Sequence, residues 1–231
     1  MTSDNDQSLS ISSAAVVESS LMAFGAGMSV QNRQDAKNAV LFATLAANRQ
    51  FDQLIHSEEW FGLFLSVMRT CGWTAVHRTH EKETSSGQSL TVSNVVVEAV
   101  QVAASGLIQG NPVGQVFSTL AEQAIQGVSK DDKALTLFKR NIKQRSNVVV
   151  GLASCIETAQ GEVVMALGAI QRSVRDEDLD VLVFDWHSAS TTSYKGSAAL
   201  SFNNQLYDGL RATVEKKLGD KARSQILDYE I

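Results

Sequence analysis

Hydrophobic spacing divides the chain into a helical first half and a strand-rich last third. From Asp35 the apolar residues recur at helical intervals: Ala36, Val40, Ala43 and Ala47 form one row, with Leu41 and Leu45 beside it. Ser57 stands where an N-cap belongs, and Glu58 and Glu59 suit the positive end of the helix that follows. Trp60, Phe61, Phe64, Leu65 and Met68 give that helix its apolar face, and Gly72 closes it. Together they predict a short antiparallel helical hairpin. Residues 1–33 show little period. Ser19–Asn32 is uncharged and rich in small residues, and fits a strand, a buried loop or an arm that docks late. The chain is accordingly divided into an irregular N-terminal arm, 1–33, and a single domain, 34–231.

The period changes at Trp73. Trp73–His80 alternates loosely and runs into Glu81-Lys82-Glu83, which predicts a strand ending in water. Thr84–Ser89 forms a turn leading to a short second strand, Leu90–Val92. Ser93 or Asn94 then caps a helix running to Gly110. Asn111-Pro112 restarts one that ends at Gly127, with Val116, Phe117, Leu120, Ala124 and Ile125 on its buried side. Ser129–Asp132 resembles a capping box for a further helix through Leu135, Phe138 and Ile142. After Ser146 strands dominate: Val148–Ile156, the turn Thr158–Gly161, and the returning Glu162–Ile170. A charged turn, Arg175–Asp178, precedes Asp180–Trp186, and Tyr194–Phe202 follows. Asn203 or Asn204 caps a last helix with Leu206, Leu210, Val214 and Leu218 on one face and a break at Gly219. Short turns imply antiparallel pairing, and a run as apolar as Val163–Leu167 suits a sheet covered on both faces. The expected fold is α/β of the α+β type: an antiparallel sheet of about four to six strands sandwiched between helical hairpins.

Composition narrows the function classes. A net charge of −5 argues against a nucleic-acid partner, because phosphate backbones need a concentrated basic face. The densest basic stretch, Lys139-Arg140, Lys143 and Arg145, has the placement that complements a helix end. A single proline and no Gly/Ser-rich stretch leave no evident linker, which favours one domain. Cys71 and Cys155 are too few for a disulfide framework and read as free, buried thiols. Met1–Ser10 holds Asp4 and Asp6 and no basic residue, unlike a secretory signal. The expectation is a soluble chain made in the cytoplasm, with any release following a route that needs no signal peptide.

Candidate chemistry is sparse. Asp185 and His187 share a face of their strand and precede Ser188, Ser190, Thr191, Thr192 and Ser193. A carboxylate orienting a histidine beside a serine is the logic of nucleophilic catalysis. No G-x-S-x-G elbow accompanies it, and a polar strand end with a Ser/Thr loop explains the same residues. His77 and His80 fall on opposite faces of a strand and cannot chelate one ion; His56 stands alone. Gly25-x-Gly27 is too short for a phosphate loop and lacks its Lys-Ser/Thr partner. Cys155 lies opposite Leu152, Ser154 and Ile156 with no adjacent base, as a core cysteine does. Neither a metal nor a cofactor is expected.

One feature is unusual. Between Glu98 and Glu122 no residue is charged, although two helices should lie there. Their expected outer side is Gln101, Ser105, Gln109, Gln115, Ser118 and Thr119, where surface helices ordinarily carry ions. Such a segment enters a membrane interface without desolvating a charge, a step that otherwise costs several kcal/mol per ion. Its candidate lipid contacts are Val100, Leu107, Ile108, Val116, Phe117 and Leu120. A hairpin buried within the domain or in an oligomer has the same composition.

The order helix–helix, strand–strand, helical segment, several strands and terminal helix, over residues 35–220, resembles the Cyt-type cytolytic toxins. It is also similar to the Evf-type insect virulence factor. Trp60-Phe-Gly-Leu-Phe64 with Cys71-Gly-Trp73, and Tyr207-Asp-Gly-Leu210 with Lys217-Leu-Gly-Asp220, look like recurring features of microbial proteins of this size. The resemblance is one of topology. It implies helices that peel from the sheet at a lipid surface and rearrange into a pore, or an apolar pocket for a fatty acyl chain. The Evf-type factor carries an acylated cysteine; Cys155 is the candidate position here, though neither cysteine aligns with it. The implied function is that of a membrane-active or lipid-binding, toxin-like protein that is not an enzyme. An oligomerising interaction protein, with the neutral hairpin between copies, and a hydrolase using Asp185 and His187 are the alternatives.

Overall fold

The N-terminal stretch, where a strand is one of three readings for Ser19–Asn32, opens the fold as two strands. The computed structural model describes residues 12–53, 55–84, 92–107, 111–143, 147–173 and 192–231. Strands β1 (Ser13–Val17) and β2 (Ser20–Phe24) form a hairpin whose turn is Glu18-Ser19. Glu18 adopts a left-handed φ of 54°, a conformation usually left to glycine, asparagine or aspartate. Two partners hold it there: its carboxylate accepts the Ser19 N–H, and its carbonyl accepts the Asn141 side-chain amide at 2.9 Å.

Helix α1 (Val30–Gln50) begins earlier than Asp35, because Ser29 caps it by accepting the Asn32 N–H at 3.1 Å. Helix α2 (Ser57–Thr70) packs along it. Strand β3 (Trp73–Thr84) follows, then α3 (Val92–Ser105), α4 (Asn111–Val128) and α5 (Asp132–Lys143). Val92, expected to end a strand, is helical, and Leu90 lies outside the described residues. Asp131, not Ser129, caps α5: its carboxylate accepts the Lys133 and Ala134 N–H groups, both at 2.9 Å. Strands β4 (Asn147–Glu157), β5 (Val163–Ser173) and β6 (Thr192–Phe202) lie near their expected bounds. The expected strand Asp180–Trp186 falls outside the described residues. The terminal helix is three short ones, α6 (Asn204–Asp208), α7 (Arg211–Leu218) and α8 (Asp220–Gln225), capped by Asn203 and interrupted at Gly209-Leu210 and Gly219. An unexpected strand, β7 (Ile226–Glu230), follows.

Among the described residues the sheet therefore has seven strands, not four to six, in the order β3-β6-β5-β4-β2-β1-β7. Its described pairs are antiparallel except β2 with β4, where Ser20 faces Gly151 and Phe24 faces Cys155. The chain between those two strands contains five helices and β3, ample for the crossover a parallel pair requires. Helices cover both faces, as the apolar strands predict. Along β5, Val163, Met165 and Leu167 face α1 and α2, while Val164, Ala166 and Ile170 face α3 and α4.

Candidate functional site

The neutral segment forms the α3–α4 layer on one sheet face. Helix α3 buries Val95, Val96, Ala99, Val100, Ala103 and Ala104. This face is small enough for the helix to lie directly on β5. A Cβ at Gly168 would stand 2.7 Å from the Val96 carbonyl oxygen and 2.8 Å from Ala99 Cβ, so glycine sets the distance of closest approach. Helix α4 buries Phe117, Leu120, Ala121, Ala124 and Val128. Two hydrogen bonds to its main chain hold it as well: Ser154 Oγ donates to the Phe117 carbonyl at 2.7 Å, and Tyr229 donates to the Ala124 carbonyl at 2.8 Å. Both of those side chains are buried, so each bond is made away from water. At the edge of α3 Lys195 approaches Glu98 at 3.5 Å, a partly exposed contact.

The structure thus separates the six candidate lipid contacts. Val100, Phe117 and Leu120 are core residues, and Leu107 is partly buried against the same core. Val116, expected on the buried side of its helix, is exposed, at 47%, because it falls on the side of α4 that faces away from the sheet, and Ile108 lies outside the described residues. The outer surface is Gln101, Val102, Ser105, Gln115, Val116 and Thr119, with Val102 at 38% exposure. Ser118, expected outside, is buried and donates to the Gln115 carbonyl at 3.1 Å. Gln109 lies outside the described residues. Between Glu98 and Glu122 the hairpin is apolar inward and uncharged outward.

Cys155 faces the opposite helical layer and is fully buried. Burial pushes its thiol well above the ordinary cysteine range, and Cys71, also buried, is pushed up to about 11. Acylation at Cys155 would require α1 and α2 to move aside. Asp185 and His187 fall outside the described residues. Among the described residues no group of three His, Cys, Asp or Glu side chains is placed to hold a metal. His77 and His80 do take opposite faces: His77 lies against Gly106 after α3, and His80 against α2.

His80 belongs to a polar cluster that residue spacing did not reveal. It lies between Phe61, at 5.9 Å between ring centroids, and Tyr194, at 5.6 Å and stacked. Its Nε2 is 2.9 Å from Ser57 Oγ, which also donates to Gln171 Oε1. Desolvation lowers the His80 pKa from its ordinary value, opposed by the charges of Glu58 and Glu59. With the single Ser57 proton on Gln171, neutral His80 donates to the serine and does not act on it as a base. The arrangement is a latch between α2 and the sheet, not a nucleophile. Ser57, expected to cap α2, is its first residue; His56 precedes it and makes no side-chain capping bond.

No protein-family model matches the chain, and no curated protein matches it. Among solved structures it is similar to a delta-endotoxin, with 14% identity over 84% of this chain and 90% of that one, at a TM-score of 0.43. It is also similar to the Evf virulence factor, with 10% identity over 96% of this chain and 84% of that one, at a TM-score of 0.36. These are the two kinds of protein that the order of elements resembles. At such identities the likeness concerns the course of the chain alone.

Proposed function

We propose that this protein is membrane-active and toxin-like, and that it binds lipid by releasing the α3–α4 hairpin from the sheet. The observation that carries the reading is the absence of charge from 99 to 121 in a layer with an apolar inner face. In water, burial of that face holds the layer closed. Lipid tails are as apolar as the core, so the same face loses little on transfer from sheet to membrane. Between Glu98 and Glu122 no ion on the outer face has to be stripped of water. Among the described residues no helix is long and apolar enough to cross a membrane, so the hairpin would lie within the interface.

Flotation with neutral liposomes, combined with dye release, tests the reading. Gln101 and Val116 are exposed, so Gln101→Glu and Val116→Glu should leave the thermal midpoint almost unchanged. Each should weaken vesicle binding by about tenfold or more, since a charge now has to enter the interface. Failure of the parent protein to float between pH 5 and 8 would sink the proposal, as would full binding by the double variant. Exposure of Val102 and Val116 on an uncharged surface supports a second reading, in which the hairpin joins two copies. A monodisperse monomer by light scattering at high concentration would count against that one.

A further inference from the structure

A groove of about 560 Å³ runs between α2 and β3, the edge strand of the sheet, and His77 is among its lining residues. Its size falls within the roughly 300–1,000 Å³ usual for small-molecule sites. Gly62 and Leu65 on the helix and Ala75 and Val76 on the strand make part of the lining apolar, and Ser66 and Thr74 add hydroxyls. Arg69 and Arg78 line it from the helix and from the strand. Among the described residues neither guanidinium has a carboxylate partner. That is notable in a chain with net charge −5, where acidic side chains outnumber basic ones. The C-terminal end of α2 accounts for the sign of Arg69, which lies in its last turn, but not for Arg78 on the facing strand. Gly62 keeps the helical wall open: a Cβ there would meet nothing within 4 Å.

We propose that this groove binds a phosphate-bearing amphiphile, with Arg69 and Arg78 holding the phosphate and the lining around Leu65, Ala75 and Val76 taking the adjoining apolar portion. Guanidinium is suited to the task because its planar fork matches phosphate oxygens two at a time and keeps its charge at all physiological pH values. The site does not rest on release of the α3–α4 hairpin, since none of its lining residues belongs to α3 or α4.

Calorimetric titration of the full chain with two probes tests it: inorganic phosphate, and a six-carbon-chain phosphatidic acid below its micelle concentration. The short-chain lipid should bind more tightly than phosphate alone. Arg69→Gln and Arg78→Gln, both at exposed positions, should each weaken binding by about tenfold, as expected for a lost charge-assisted hydrogen bond. Gly62→Trp should block the groove while the protein stays folded, since the new side chain points into open space and helix propensity improves. No binding of either probe at millimolar concentration would overturn the proposal. So would unchanged binding by the Arg69→Gln/Arg78→Gln and Gly62→Trp variants. Equal affinity for the two probes would overturn the amphiphile assignment.

Discussion

The two helical layers hold the same sheet by different means. Under α1 and α2 the core contains Trp60, Phe61, Phe64, Trp73 and Tyr207, and directional bonds cross between elements. Asp35, fully buried in α1, accepts Arg211 Nε at 2.9 Å and Nη2 at 2.8 Å from α7. Lys37 reaches Asp228 on β7 at 2.7 Å. Under α3 and α4 the contacts are mainly valine and alanine, with two buried hydrogen bonds to the α4 main chain and the partly exposed Lys195–Glu98 contact at the edge of α3. Aromatic stacking and paired ions depend on geometry and lose most of their value when partners separate. Burial of small apolar side chains depends on area alone, and lipid restores it. One layer is therefore tied by directional contacts, and the other is held mainly by apolar burial, which is what the proposed release to lipid requires.

The largest break in that contrast should come from the fixed layer. Arg211→Ala leaves Asp35 buried without its counter-ion, which typically costs about 3–5 kcal/mol. Urea denaturation should show a loss of that size with no gain in liposome binding. A loss below about 1 kcal/mol would mean that the pair does not lock α1 to α7. A smaller effect is expected in the other layer. Gly168→Val drives a side chain into the α3 backbone and should cost about 1–3 kcal/mol. Because the strain falls on the releasable layer, flotation should increase even as stability falls. Reduced stability with unchanged or weaker flotation would refute the release of α3.

The smallest effect sharpens the role of the latch. His80 has a folded-state pKa below that of the unfolded chain, so over the window between them the unfolded chain binds more protons. Stability should rise with pH through that window, up to the ordinary histidine pKa near 6.5. Below the lowered pKa both states are protonated and the pH slope from this group vanishes. The charged groups on that face of β3 and on α2, namely Glu58, Glu59, Arg69, Arg78 and Lys82, add screened contributions. His80→Gln should flatten the slope between pH 5 and 7 in denaturation experiments. An unchanged slope would remove His80 as its source.

Periodicity alone identified α1 and α2, the β4–β5 hairpin, the helices that follow β3 and the neutral segment between Glu98 and Glu122. Those features are local: they depend on side chains a few positions apart along one element. The β1–β2 hairpin was not legible in this way. Its turn lacks the glycine that usually marks one, and Glu18 holds its left-handed conformation through Asn141, a residue far along the chain. Strand β7 depends on β1 for its pairing, and the parallel neighbours β2 and β4 are brought together only after five helices have crossed over. The Ser57–His80–Gln171 cluster likewise joins residues whose spacing conveys nothing. The sequence by itself determined that one layer would be neutral. Tertiary structure decided that this layer lies apolar side inward on the sheet, close enough at Gly168 for only glycine to fit. Composition sets what a surface can tolerate, whereas contact across the sheet sets which surface it is.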